Sequence, residues 1–396
     1  MPTFSARFLG CKVSYTDLQA IRERLLADGH RDVDDGADVA VVNTCCVTHE
    51  AVSKSRKEAA RAARTHGRVY VTGCAANLSA DAFAGLPDNV VVVRRRSEQT
   101  PAFVAEDVGA IGCVQADARL ERVRAFVRVQ DGCSFSCSFC VVPLVRGASR
   151  SRRADDVMAE ARRRIAQGHQ EIVLTGINLG CYRDRSAGLD LAGLVRAVGA
   201  TPGLRRLRLS SVEVNHLGPE LEHALRETPT VAHHLHVPLQ SGDDGVLRAM
   251  GRRYTASRYA AKVERFADFN LTTDVIVGFP GEDERAFANT LRLVRGVGIT
   301  KVHVFPYSPR PGTATAARDT IPIAVKKERS ARARSLSTKA QLDRWRGKLG
   351  SEDVVLVDRP GRGYGDDYSP WLVDAPVGEL VRVRAAGVTE EGIVAA

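Results

Sequence analysis

Two rhythms of apolar residues alternate along this chain: short continuous runs, and stretches with apolar positions three and four apart. Residues 15–28 carry Leu18, Ile21 and Leu25 at helical spacing and stop at Gly29, so they predict a helix. Val39-Ala40-Val41-Val42 is an apolar run of the kind buried on both faces of a parallel sheet. Residues 49–66 predict a second helix, and 68–72 and 90–93 predict further strands. The alternation resumes with strands expected at 125–130, 171–175, 206–210, 234–238, 273–277 and 301–305. Helices are expected between them at 154–167, 191–198, 219–226, 257–270 and 285–297. Such units predict a partial (β/α)6 barrel, open on one side, with chemistry at the carboxyl ends of its strands, as in complete βα barrels. Residues 326–349 predict a long basic helix. Beyond Gly350 the pattern becomes short strands at 353–357, 371–373, 380–383 and 392–394, separated by Gly- and Asp-rich turns such as 361–367. The expected fold class is α/β, in three parts. They are an N-terminal parallel α/β sheet unit (1–105), a barrel with its trailing helix (123–349) and a small antiparallel β unit (350–396). A polar linker is expected over 106–122.

Composition narrows the function classes. No apolar run approaches the roughly 20 residues of a bilayer span, and residues 1–10 lack the features of a secretory signal. A cytoplasmic protein with no membrane partner is expected. Nine cysteines in such a chain point to metal or redox chemistry rather than disulfides. The net charge of +10 suits a polyanion such as RNA, though a solvated basic surface has the same composition.

The cysteines fall into two groups of interest. Asp131-Gly132-Cys133-Ser134-Phe135-Ser136-Cys137-Ser138-Phe139-Cys140 offers three thiolates in a C-x3-C-x2-C spacing. A [4Fe–4S] cube has four irons, so three thiolates leave one iron open to another ligand. Zinc held with a distant histidine is the alternative, although zinc sites usually show paired C-x2-C knuckles, and here only Cys137 and Cys140 have that spacing. Cys11, Cys45 and Cys74 each lie near the end of an expected strand, where loops of a parallel sheet converge, so they predict a second cluster site. Buried apolar cysteines are the alternative. Neighbouring side chains point different ways, so only one of Cys45 and Cys46 is expected to be a ligand. Cys113, in the linker, is given no role.

The order of motifs resembles the methylthiotransferases, a radical S-adenosylmethionine (SAM) subfamily, over nearly the whole chain. Phe8-Leu9-Gly10-Cys11-Lys12-Val13, Val42-Asn43-Thr44-Cys45-Cys46 and Thr72-Gly73-Cys74 are similar to its N-terminal motifs. Leu174-Thr175-Gly176-Ile177-Asn178, His236-Val237-Pro238-Leu239-Gln240-Ser241-Gly242 and Asp274-Val275-Ile276-Val277-Gly278-Phe279-Pro280-Gly281-Glu282 follow the cysteine triad in the family's order. Within the family the chain most resembles the MtaB type, through residues 43–50 and 303–313. The resemblance implies an enzyme that methylthiolates C2 of N6-threonylcarbamoyladenosine at position 37 of tRNA, using two SAM molecules. It implies two [4Fe–4S] clusters, one on Cys133, Cys137 and Cys140 and one on Cys11, Cys45 and Cys74, the latter carrying the inserted sulfur. SAM is expected against Phe139, Gly176, Asn178, Gln240, Gly278 and Glu282. No catalytic residue beyond the cluster ligands is expected. The C-terminal β unit takes the position of the family's RNA-binding TRAM domain. Arg359, Arg362, Lys326, Lys327 and Arg329 are candidate RNA contacts, with Tyr364 and Tyr368 available for stacking and Trp371 expected in the core. Arg146, Arg150 and Arg310 are candidates to pair with the threonylcarbamoyl carboxylate. Other substrates open to a member are isopentenyladenosine-37 of tRNA and an aspartate of a ribosomal protein. An Fe–S protein that only binds RNA is the non-enzyme alternative. An electron donor and a sulfur source are required partners.

Overall fold

The computed structural model describes residues 3–34, 36–94, 99–109 and 123–396. Five strands, β1 (Thr3–Phe8), β2 (Arg31–Asp32), β3 (Val39–Thr44), β4 (Arg68–Gly73) and β5 (Val90–Val92), form one parallel sheet in the order β2-β1-β3-β4-β5. Every residue of β3 is buried, because helices cover both faces of the sheet. Helix α1 (Lys12–Ala27) packs Leu18, Ile21 and Leu25 on one face, as their spacing predicts. Helix His49–Ala62 covers the other face and is capped by Thr48, whose hydroxyl accepts from Ala51 N at 3.1 Å. The expected linker begins later than composition suggested, because Thr100–Val108 is helical and packs against α1. Its remainder lies mostly outside the described residues, and so does Cys113.

Six more parallel strands follow: β6 (Arg124–Arg128), β7 (Glu171–Thr175), β8 (Arg206–Leu209), β9 (His234–His236), β10 (Asn270–Val277) and β11 (Lys301–Pro306). They form two three-stranded sheets, β8-β7-β6 and β9-β10-β11. Parallel bridges Leu207↔Val231 and Ser211↔His236 join the two sheets, and this gives the open six-stranded barrel. Side chains on a strand alternate between its faces. Val127, Leu174, Leu207, Leu235, Leu271 and Val302 point outward into the core shared with the surrounding helices. The alternate positions, among them Arg128, Glu171, Arg208, His234, His236, Asp274 and His303, therefore give the barrel a polar inner face. The expected helix over 257–270 is shorter: Ala256–Val263 is helical, Glu264–Phe266 is a 3₁₀ turn, and Asn270 already belongs to β10.

The C-terminal strands β12 (Glu352–Arg359), β13 (Arg362–Tyr364), β14 (Pro370–Leu372), β15 (Leu380–Thr389) and β16 (Gly392–Ala395) close into a small barrel around Trp371, which is fully buried. Two expectations are corrected here. Residues 362–364 form a strand rather than part of a turn, because a side chain at Gly363 would lie 2.4 Å from Leu356 O and only glycine permits that approach. The barrel is also not wholly antiparallel, since β14 pairs parallel with β16. It docks at the amino-terminal ends of the large barrel's strands. Arg208 donates to Gly365 O and Asp366 O at 2.6 and 2.7 Å, and Asn270 Nδ2 donates to Asp367 O at 2.7 Å.

Candidate cluster sites and the barrel interior

Cys133 follows the carboxyl end of β6, and its backbone N donates to Gly147 O at 3.0 Å. Burial pushes the Cys140 thiol up to about 11, and the adjacent Cys137 and Cys133 push the same way, so the three sulfurs share one environment. Two side-chain donors already aim at the triad. Arg252 Nη1 lies 3.5 Å from Cys137 Sγ, and Asn178 Nδ2 lies 4.0 Å from Cys133 Sγ. A guanidinium beside a thiolate favours the ionised form that binds iron.

The second group also converges. Burial raises the Cys45 thiol to about 11, with Cys74 and Cys11 adding to it. Cys11 caps α1, and Cys74 opens the short helix Cys74–Leu78 at the end of β4. Arg146 connects the two groups. Its Nε lies 3.2 Å from Cys74 Sγ, its Nη1 3.1 Å from Asp131 Oδ1, and its Nη2 2.7 Å from Asp17 Oδ2. Asp131 precedes Cys133 by two residues, so Arg146 ties Cys74 of the second group to the loop that carries the first. A cavity of about 400 Å³ opens beside them, lined by Cys74, Asn43, Thr72, Asp131 and Arg146. Among the described residues, no three His, Cys, Asp or Glu side chains lie close enough to hold a single metal ion. A mononuclear zinc site needs its sulfurs about 2.3 Å from one point. A cube binds each thiolate at a separate iron, and three thiols are the donor set that such a cube uses.

The residues expected around SAM lie along the carboxyl edge of the barrel. Phe139 packs edge-on against Phe279 at 6.2 Å, which brings the Gly278–Glu282 turn beside Cys140. Gly176 lies against Gln130, and Asn178 N donates to Gln130 Oε1 at 2.8 Å. Asn178 Oδ1 is buried without a hydrogen-bond partner, an acceptor left for a ligand. Gln240 adopts φ 66, a strained value for a non-glycine residue, and its backbone is pinned by bonds to Asp274 and Ile276. Glu282 turns inward instead. It accepts from Gly278 N at 2.6 Å and from Arg329 Nη1 at 2.7 Å, so its carboxylate holds the turn in shape.

Several expected RNA contacts are overturned. Lys326 and Arg329 are buried, because Lys326 Nζ bonds Asp319 and Tyr307 O while Arg329 holds Glu282. Tyr364 and Tyr368 stack on each other at 4.9 Å, and Arg124 Nη1 donates to the Tyr368 hydroxyl at 2.7 Å, so both rings serve the docking of the small barrel. Arg362 pairs with Glu391, whereas Lys327 and Arg359 are exposed. The three arginines expected to meet a carboxylate are also engaged. Arg146 is committed as described, Arg150 pairs with Asp131 at 3.5 Å, and buried Arg310 donates to Cys46 O, Ser308 Oγ and Pro309 O. Arg146 and Arg252 as partners of cysteine sulfur were not singled out as such in sequence, and neither was the polar inner face. The signal for the face was present: polar residues fall on every second position of strands otherwise apolar.

Residues 127–294 match the radical SAM superfamily, and residues 3–94 match uncharacterized protein family UPF0004. A curated relative, "Threonylcarbamoyladenosine tRNA methylthiotransferase MtaB" of Chlamydia pneumoniae, is 33% identical over 99% of this chain and 97% of its own length. "tRNA-2-methylthio-N(6)-dimethylallyladenosine synthase" of Novosphingobium aromaticivorans is 35% identical over 96% of this chain and 94% of its own. Among solved structures, the radical SAM methyltransferase TsrM of Kitasatospora setae shares the fold at TM-score 0.57 and 12% identity, over 80% of this chain and 74% of its own. Membership of the superfamily implies SAM and one [4Fe–4S] cluster. No described helix is long and apolar enough to cross a membrane. With its triads, its open barrel and full-length relatives of this kind, the chain belongs to the radical SAM methylthiotransferase family.

Proposed function

We propose that this protein methylthiolates C2 of N6-threonylcarbamoyladenosine at position 37 of tRNA, with SAM and two [4Fe–4S] clusters. Cys133, Cys137 and Cys140 would hold the cluster that meets SAM, and Cys11, Cys45 and Cys74 the second. The observation that supports a pair of neighbouring clusters is Arg146, which touches Cys74 of one triad and Asp131 beside the other. A cluster with one open iron supplies, when bound, the electron for radical cleavage of SAM, which suits a C–H bond that acid–base chemistry cannot activate. The protein's own residues bind and orient. Phe139 offers a face to the adenine, Asn178 Oδ1 an acceptor, and the strained Gln240 turn a fixed amide. Exposed Lys327 and Arg359 would meet RNA phosphates.

The relatives' names divide between threonylcarbamoyl- and dimethylallyl-adenosine, and the polar inner face favours the first. A threonylcarbamoyl chain brings polar groups and a carboxylate that suit a polar wall, whereas an isopentenyl chain offers that wall no hydrogen bonds. Anaerobic reconstitution is expected to yield about eight irons per chain, and a plateau near four would reject the second cluster. Cys11→Ala is expected to cleave SAM yet form no methylthio product; product from that variant would remove the second triad from the reaction. Nucleoside mass spectrometry on tRNA treated with the enzyme decides the substrate. Conversion of isopentenyladenosine alone would overturn the choice.

A further inference from the structure

Among the described residues, the arginines on the inner face at the amino-terminal end of the large barrel are each matched by a carboxylate. Arg206 and Arg208 share Glu171 at 3.2 and 2.9 Å, and Arg124 pairs with Asp358 at 3.1 Å. Lys12 reaches in beside them from the first turn of α1. Its ammonium lies 5.8 Å over the ring of Tyr368 and has no hydrogen-bond or ion-pair partner among the described residues. Its electrostatic neighbours are Tyr368, Arg124, Arg208 and Glu171 from below, with His234 and His303 from the far wall. The surplus of positive charge registers on Tyr368. Burial pushes that phenol up, yet Arg124, Lys12 and Arg208 together pull it below its ordinary value.

Lys12 is half-buried, and an ammonium so enclosed without an ion pair is placed to take an anionic ligand. Lys12 follows Cys11 directly, so its backbone starts beside the second triad while its ammonium reaches across to Tyr368. Tyr15, three residues on along α1, packs edge-on against Phe126 of the inner face at 5.5 Å. We propose that Lys12 is the specificity-determining counter-ion for the carboxylate on the substrate's N6 amino-acid chain. This rests on the threonylcarbamoyl reading above and assigns the recognition that Arg146, Arg150 and Arg310 are too committed to provide. Pairing would place the N6 chain in the polar half of the barrel, and its adenine between the chain and the cysteine triads.

The test measures binding of the iron-loaded enzyme to an anticodon stem-loop RNA carrying threonylcarbamoyladenosine, or its carboxamide analogue, at position 37. The wild type is expected to bind the carboxylate form roughly ten- to a hundredfold more tightly, the scale of one hydrogen bond to a charged group. K12M should bind the two RNAs alike, and K12R should restore the preference. Equal weakening toward both RNAs would assign Lys12 a merely structural role beside Tyr368 and overturn the proposal. A preference that survives in K12M would overturn it too, while leaving the threonylcarbamoyl reading in place. A wild type that favours an isopentenyl stem-loop over both would instead overturn that reading. If K12M fails to load iron, the wild-type comparison of the two RNAs and K12R decide the outcome, and a wild type indifferent to the carboxylate rejects the proposal.

Discussion

Cys45 and Cys46 show how far two adjacent, chemically identical side chains can differ. Cys46 is buried among Val42, Ala59 and Ala75, and its thiol is pushed up first by a hydrogen bond to Cys74 and then by burial. It stays a thiol that donates to Cys74, whose own thiol is drawn down by that bond. Cys45 has Cys11 as well as Cys74 in its surroundings. Cys46→Ala is therefore expected to retain its full iron content, whereas Cys45→Ala should lose about half of it, the share of one of two [4Fe–4S] clusters. Iron and acid-labile sulfide assays on the two reconstituted variants check this, and the opposite pattern would transfer the ligand to Cys46. Sequence could say that only one of the pair would coordinate, because consecutive side chains diverge. The packing of β3 against the helix after it, which buries Cys46, is what favours Cys45.

At the scale of elements, the barrel's carboxyl edge depends on backbone that has no room for a side chain. Gly132, directly before Cys133, has φ 67, and a Cβ there would lie 2.1 Å from Ala148 O. Gly188 has nearly the same φ, 65, but open space around it. The left-handed conformation costs a non-glycine residue about 1–2 kcal/mol, so Gly188→Ala should lose about that much. Gly132→Ala adds a backbone collision and is expected to lose more, roughly 3 kcal/mol in total, together with iron from the first triad. Urea denaturation of the two variants measures the difference, and equal losses would mean that the Cys133 loop can shift. Strand positions in the large barrel were close to legible in sequence, since period-two alternation and flanking turns mark them. The strand at 362–364 was not, because the glycine that permits its close pairing is also the residue that suggests a turn.

For the whole molecule, Glu171 ties the two barrels together. It is fully buried at the start of β7, where Arg206 and Arg208 grip it and also bond backbone carbonyls of the C-terminal barrel. Burial pushes its carboxyl up, but Arg208, Arg206 and Arg124 outweigh that and hold it below the ordinary 4.5. Asp367 is likewise held well below its ordinary value against burial, by Lys348 and Arg344. A carboxylate with a lowered native pKa adds stability above its unfolded value and loses it as pH falls through the native one. Stability should therefore hold from about pH 7 to about pH 5 and then fall steeply as the pH drops further. Glu171→Gln leaves three guanidiniums short of a counter-charge, and is expected to cost about 3 kcal/mol at neutral pH and to flatten the acid decline. Urea titrations of wild type and variant across that range test both parts. An unchanged slope in the variant would assign the acid sensitivity to other groups.

The chain's local patterns were enough to determine its helices, most strands and the α/β class, and to single out two candidate thiol triads. Those features are set by spacing along the backbone: apolar periodicity for elements, C-x3-C-x2-C for one triad, and strand ends for the other. What the tertiary structure alone decided is which charges are spent and which are free. Lys326 and Arg329 read in sequence as one basic helix face, yet each is neutralised by a carboxylate brought from elsewhere in the chain. Lys12 reads as an ordinary lysine after a cysteine, yet it stands unpaired inside the barrel beside a tyrosine more than three hundred residues away. Charge neutralisation depends on distances between residues remote in sequence, and only the folded chain sets those distances.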